Sequence, residues 1–319
     1  MRILGILLLL ATGAATLPSS GRLLVKKQSD QDLATYDDAC NIGFCSVWGA
    51  TIGGWGASYT TVRTPDEFAS AVSGTEEGVI IVEGNLDSPE GRIIEIGSSK
   101  SIIGNPGSSL TGISLQLTGS RNVIIRNLVI ANSSGNPFAV ITLNSARSIW
   151  IDHVELSGDT PYFLSIVNGT DYLSVTHNKF SLPRNELIQF PVINVGRDGE
   201  DLGKLHVTFA RNWFAGVKRG IEFRYGLGHL LNNYFEGSGV DVLKGGKVLI
   251  EGGLFENSEV KSSDGEGVWS VTDSVGAEVK TAEVEVEYPY DWYKWEVAGV
   301  KEGVKRWAGQ TLVFMVWDK

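Results

Sequence analysis

Two cysteines, Cys40 and Cys45, are the only thiols in the 319 residues, with Asn-Ile-Gly-Phe between them. A metal site would need further soft ligands, and none lie nearby, so the pair reads as a disulfide closing a small loop. That bond needs an oxidising compartment. Met1-Arg2 precedes the apolar run Ile3 to Ala11 and the small residues Gly13, Ala14 and Ala15, the layout of a secretory signal over 1–15. The run is well short of the roughly 20 residues needed to span a bilayer, and no later segment is long enough. The expectation is an exported, extracellular protein with no membrane anchor. Export gives meaning to Asn132-Ser-Ser and Asn168-Gly-Thr, which are acceptor sequons for N-glycosylation. The formal charge of −10 lacks the basic footprint of a nucleic-acid binder. It also repels any acidic polymer unless cations or local Arg and Lys offset the field.

These residues must be placed by a regular scaffold, and the chain after Cys40 repeats. The stretch 16–39 is polar and aperiodic, a flexible lead-in whose Lys26-Lys27 is either a processing point or a solvated charge pair. Between 122 and 255, six segments share an alternating apolar strand, a polar residue that is often Asn, one more residue, and an apolar side chain. Their anchors at 127, 154, 178, 212, 233 and 253 are 27, 24, 34, 21 and 20 residues apart. Spacing in the low twenties fits one coil of a parallel β-helix, and the longer intervals hold loops that bulge from a turn. No coil can bury its inner face alone, so stacking is obligatory. Leu156, Phe180, Phe214, Phe235 and Phe255 are expected inside, with Asn178, Asn212 and Asn233 bonded to each other at a turn. A β-sandwich is the rival, but its Asn-Gly or Asp-Gly hairpins should fall inside the repeat. Asn168-Gly169 and Asp198-Gly199 fall outside it. The expected fold is therefore all-β, a single-stranded right-handed parallel β-helix forming one domain over 40–319.

The ends read differently. Thr64 is placed as an N-cap, Pro65 at the first helical position, and Phe68, Ala71 and Val72 at helical spacing, a short helix over the open end of the core. The aromatic-rich tail after Ala282 is expected to lie against the outside or the end of the coils.

Longer motifs then carry a resemblance. Cys40 to Cys45 followed by Thr51-Ile-Gly-Gly-Trp-Gly56 resembles the opening of the secreted fungal pectate lyases, in the pectate lyase and pectin lyase superfamily. Val79 to Gly84 leading to Ser101-Ile-Ile-Gly104 does so too. Ser148-Ile-Trp-Ile-Asp-His153 is similar to that family's Trp-Ile-Asp-His signature. Lys218-Arg219-Gly-Ile-Glu-Phe-Arg224 resembles its Arg-x-Pro-x-x-Arg segment, and His229-Leu-Leu-Asn-Asn-Tyr-Phe235 the segment that follows. Ala308-Gly-Gln-Thr-Leu312 is similar to its close.

The resemblance implies cleavage of pectin or polygalacturonate, as a monomer, by β-elimination. A base removes the C5 proton, the C4–O bond breaks, and calcium bridges enzyme and substrate carboxylates. It places Arg219 at the base and Arg224 at a substrate-binding arginine. A guanidinium normally stays charged, so a base role requires other cations nearby. Lys218 is adjacent, but neighbours on a strand face opposite ways. A surface ion pair is the plainer reading of Arg219.

The calcium carboxylates do not carry over. Their positions align with Ala139, Pro161 and Ser165, an expected lysine aligns with Asn185 beside Arg184, and the segment's proline is Ile221. Calcium needs several hard oxygen ligands, usually including carboxylates. Arg184 is the candidate for a second substrate-binding cation. Asp152 and His153 are expected to form a structural hydrogen-bonded pair. Asp159, Glu186, Asp198 and Glu200 either relocate a metal or are solvated loop charges. Three functions stay open: a pectate lyase with altered metal dependence, a calcium-independent enzyme on methylated pectin, and a non-catalytic glycan binder. The binder would need aromatics lining the groove beside Arg219, and activity a second cation there.

Overall fold

The structure is a computed structural model, and it describes residues 34–131, 138–158, 160–182, 190–277, 284 and 286–315. The expected parallel β-helix forms, with about nine turns. Its wide face is a ten-stranded sheet running from Tyr59–Val62 to Val268–Thr272, and every neighbour is parallel. A second face stacks three-residue strands, among them Glu155–Ser157, Lys179–Ser181, Trp213–Ala215 and Tyr234–Glu236. The third, which we call the groove face, stacks Ala139–Asn144, Tyr162–Val167, Ile193–Val195, Ile221–Phe223, Val240–Val242 and Val260–Lys261. The long strand Ser109–Thr118 turns the corner between the second and third faces, pairing with Val129–Ala131 through its first half and Ala139–Asn144 through its second.

The core is a stack of like on like. Leu156, Phe180, Phe214, Phe235 and Phe255 are consecutive register partners, all buried. The four phenyl rings lie 5.0, 4.5 and 4.7 Å apart, nearly parallel. Offset stacking at such distances adds to the area that each ring buries. At the adjoining turn, Val154 N, Asn178 N and Asn212 N donate in series to the Oδ1 atoms of Asn178, Asn212 and Asn233, at 2.8, 2.9 and 3.0 Å. Each amide thereby satisfies a backbone N–H that the bend strands from water.

One anchor was out of place. Arg126 pairs with Asp152, so Asn127 stands opposite His153 rather than Val154. Asn127 and His153 both take the left-handed conformation of that corner, which Asn adopts more readily than most residues. The Asn127 side chain faces a different partner, accepting from Leu312 N at 2.9 Å and donating to Gly104 O at 2.9 Å.

The helix α1 (Pro65–Val72) forms as expected, with Thr64 Oγ1 accepting from Glu67 N at 3.2 Å and Phe68 and Val72 buried in the core. The tail does lie outside the coils, but it also contains a helix, α2 (Val300–Trp307), that the sequence reading did not anticipate. Val300 and Val304 pack on Tyr234, on the outside of the short-strand face. Beyond α2 the chain runs back along the stack. Gln310 Nε2 donates to Ser108 O at 2.8 Å and Asn127 O at 2.9 Å, and Met315 N donates to Ala34 O at 3.0 Å.

Candidate active site

Alternation along each groove-face strand sends one set of side chains inward and the next outward. Ile141, Leu164, Ile193, Ile221 and Val240 are register partners in the core. The outward row is Thr142, Ser165, Asn194, Glu222, Asp241 and Lys261, each opposite the next. The row begins with neutral oxygen and amide groups and becomes charged at Glu222.

Arg219 and Arg224 flank the strand Ile221–Phe223 and are brought together by the residue between them. Arg219 Nη2 donates to Glu222 Oε1 at 2.5 Å, and Arg224 Nη2 donates to Glu222 Oε2 at 2.8 Å. Arg224 Nη1 also donates to Asn194 Oδ1 at 3.2 Å. The backbone fixes both ends of the segment, since Val192 N donates to Arg219 O at 3.0 Å and Arg224 N donates to Val195 O at 2.8 Å. Glu222 is 13 % exposed against 47 % for Arg219, so the carboxylate lies under the guanidinium groups.

Beside this triad is a groove of about 430 Å³, lined by Lys218, Arg219, Glu222, Asp241, Glu259 and Lys261 together with small and apolar residues. Lys218 and Arg219 both border it, contrary to the expectation that they face opposite ways. The strand begins only at Ile221, so strand alternation does not govern residues 218–220. Two of the groove's glycines let neighbouring coils approach closely. A Cβ on Gly239 would sit 1.9 Å from Glu259 O, and one on Gly220 would sit 2.4 Å from Gly239 O. Among the described residues that line the groove, none is aromatic. Second cations, Lys218 and Lys261, are present.

The three positions that the family resemblance sets against calcium carboxylates bring no carboxylate to this face. Ala139 is fully buried, and Pro161 and Ser165 carry no charge. The carboxylates that do face outward are engaged, Glu222 by the arginines and Asp241 by Ser263, whose N and Oγ donate to it at 2.9 and 2.7 Å. Asp198 is spent on the N-cap of a short 3-10 turn, accepting from Glu200 N at 3.0 Å. Arg184, Asn185, Glu186, Asp159 and Asn132 lie outside the described residues. Asn168 is exposed at a corner and donates to Asn144 Oδ1 at 2.9 Å.

Asp152 and His153 belong to a buried cluster at another corner, where the wide face ends. His153 Nδ1 is 2.8 Å and His177 Nδ1 3.2 Å from the Asp152 carboxylate, which accepts from Thr176 Oγ1 at 2.6 Å and Arg126 Nε at 2.9 Å. Burial alone would raise the Asp152 pKa. The His153, His177 and Arg126 partners more than offset it and hold the carboxyl well below its ordinary range. Burial, then the neighbouring His153, lowers His177 to about 4. The arrangement is a buried hydrogen-bonded network, with Arg126 also tying in Asp38 at 2.7 Å, and Asp152, His153 and His177 are also the group of described residues whose ligand atoms lie close enough together to hold a metal ion. Cys40 and Cys45 form the expected disulfide.

Glu222 lay in plain view between two singled-out arginines, and alternation from Ile221 could have placed it outward. Asp241 had no comparable signal, because only the coil register brings it beside Glu222.

Comparison with known proteins agrees with the β-helix fold. A family model described as pectate lyase matches residues 19–296. Pectate lyase A of Emericella nidulans is 35 % identical over 298 residues, covering 88 % of this chain and 89 % of the relative. Pectate lyase A of Aspergillus niger is 33 % identical over 303 residues, covering 88 % and 90 %. Among solved structures, a Bacillus subtilis pectate lyase mutant superposes with a TM-score of 0.73 at 17 % identity, over 88 % of this chain and all of that one. A Bacillus pectate lyase in complex with trigalacturonate gives 0.71 at 19 %, over 86 % and 99 %. With the family model spanning most of the sequence and fungal relatives matched nearly end to end, this chain belongs to the pectate lyase family.

Proposed function

We propose that this protein is an exported polysaccharide lyase that cleaves the pectate backbone by β-elimination, with Arg219 as the base and Arg224 as a substrate-binding arginine. The observation that carries the reading is a pair of arginines tied together by one carboxylate, with Arg219 and that carboxylate on an open, sugar-sized groove. In the reaction the C5 proton passes to a nitrogen of Arg219 and its electron pair becomes the C4=C5 double bond. The C4–O bond breaks, and the leaving oxygen takes a proton from water. Arg219 can accept that proton only after giving one up, because a guanidinium ordinarily stays charged.

Pectate lyases commonly use calcium. The donor set described above does not suit it, because the outward row offers neutral groups where carboxylates are needed and its two carboxylates already have partners. We therefore derive no step through a metal. Among the described residues, the groups that could mask the charge on the substrate carboxyl are the guanidinium groups, and esterification would mask it without them. Export rests on the leader at 1–15, and among the described residues no helix is long and apolar enough to cross a membrane.

The test is absorbance at the unsaturated-uronide band with polygalacturonate and with methylated pectin, each with calcium and with chelator. Signal on either polymer that is lost in Arg219→Ala supports the lyase. No signal from folded protein on either polymer overturns it.

A further inference from the structure

The groove that would receive the polymer is electrically unusual for a site that binds a polyanion. Its lining carries three cations, Lys218, Arg219 and Lys261, and three carboxylates, Glu222, Asp241 and Glu259. Lys261 is paired with Glu259. The arginine read as the base and the one read as substrate-binding are both already gripped by Glu222, and Asp241 stands next to it in register. The whole chain carries a formal charge of −10, so no long-range field draws in a polyanion.

We propose that Glu222 is a specificity-determining residue, which by claiming both arginines makes this part of the groove favour a methyl-esterified galacturonosyl unit over one with a free carboxylate. The inference rests on reading the groove as a galacturonan site. A free carboxylate arriving here competes with Glu222 for the charge of the guanidinium groups and sits beside two like charges, Glu222 and Asp241. That repulsion is what discriminates against it, since each guanidinium keeps N–H donors that Glu222 does not use. A methyl ester brings no charge, and its carbonyl asks for only a single N–H. The triad can stay intact. The polymer best matched to the groove is therefore partly esterified. The ester also masks the carboxyl charge covalently, a task for which the outward row offers no carboxylate that is not already engaged.

The test is calorimetric titration of trigalacturonate and of its fully methylated ester onto wild type, Glu222→Gln and Glu259→Gln, in chelator at low salt. Glutamine keeps the shape and an acceptor at 222 while removing the charge. Wild type is expected to bind the ester at least about tenfold more tightly. Glu222→Gln should lower that preference by about tenfold, mainly through tighter binding of the acid, and Glu259→Gln by less than about threefold. High salt should narrow the wild-type preference. The proposal is overturned if wild type binds neither trisaccharide, if it prefers the acid, if Glu222→Gln leaves the ratio unchanged, or if Glu259→Gln shifts it equally. It is also overturned if calcium tightens acid binding to wild type but not to Glu222→Gln, since Glu222 would then be a ligand. Because binding is read without chemistry, a protein showing these ratios but forming no unsaturated product would sink the lyase and leave the assignment of Glu222 standing. Product formation with an unchanged ratio would do the reverse.

Discussion

Two faces of the β-helix present an outward row of polar side chains, and the rows have opposite fates. On the wide face the row includes Ser101, Trp150, Ser174, Thr208, His229 and Ser270, all buried. The chain ends cover it. Gly54 N donates to Ser101 Oγ at 3.0 Å, Cys45 N to Ser174 Oγ at 3.1 Å and Phe44 N to Thr208 Oγ1 at 3.1 Å, while Tyr290 Oη lies 2.8 Å from Thr208 Oγ1 and 2.9 Å from His229 Nδ1. On the groove face no described segment spans Glu222, Asp241 and Lys261, and their partners among the described residues are neighbours in the same row or turn. One alternating pattern thus serves adhesion on one side and recognition on the other. What separates them is whether a terminal segment lies across the row, and whether its members are small hydroxyls or charges.

If that division holds, the largest effect should come from the groove. Arg219→Ala is expected to lower lyase activity by at least about a hundredfold, in line with loss of a general base, while the urea midpoint barely moves. A large loss of stability would place Arg219 in the scaffold instead.

Acid should act on the buried corner and leave the groove aside. The folded-state pKa of His177, about 4, lies below its unfolded value, so between pH 6.5 and 4 the unfolded chain binds more protons. Stability is then full above about pH 6.5 and falls as the pH drops toward 4. The depressed Asp152 adds to this below its unfolded pKa. The His177 part is worth about 3 kcal/mol, readable from denaturant midpoints at pH 7 and pH 4.5. A Glu222→Gln variant should show the same slope.

Smaller still is the cover. Thr208→Val strands Phe44 N in a buried site and should cost about 1–3 kcal/mol, measured by thermal unfolding, with kcat/KM unchanged within about twofold. The smallest effect is expected at the groove rim. Lys261→Ala removes an exposed pair with Glu259 and should change stability by less than about 0.5 kcal/mol.

Much of the scaffold was legible because stacking repeats a local rule, with an apolar residue two places after a polar corner in coil after coil. Asn178, Asn212 and Asn233 announced themselves in this way, and so did the phenylalanines. The rule slipped at Asn127, where the anchor was matched by residue type and the register lies one residue away. At the groove, legibility fell for a different reason. Glu222 and Asp241 meet only because two coils are in register, and the chain between them gives no periodic clue. Treating 218–220 as strand misplaced Lys218, since the strand is only three residues long. Helix α2 was hidden by its aromatic, charge-rich composition, and it is held by packing on Tyr234 rather than by strong helix propensity.

The returning tail has a mechanical consequence. A stack of coils touching only their neighbours behaves like a zipper and can open from either end. Here Leu312 and Gln310 reach back to Asn127, and Met315 to Ala34, so the thread that leaves the last coil is stitched into the early ones. Neither end can peel away by itself without first breaking that stitch. The solenoid should therefore melt as a single unit, and cutting the chain between the last coil and α2 should convert one sharp transition into a graded unravelling.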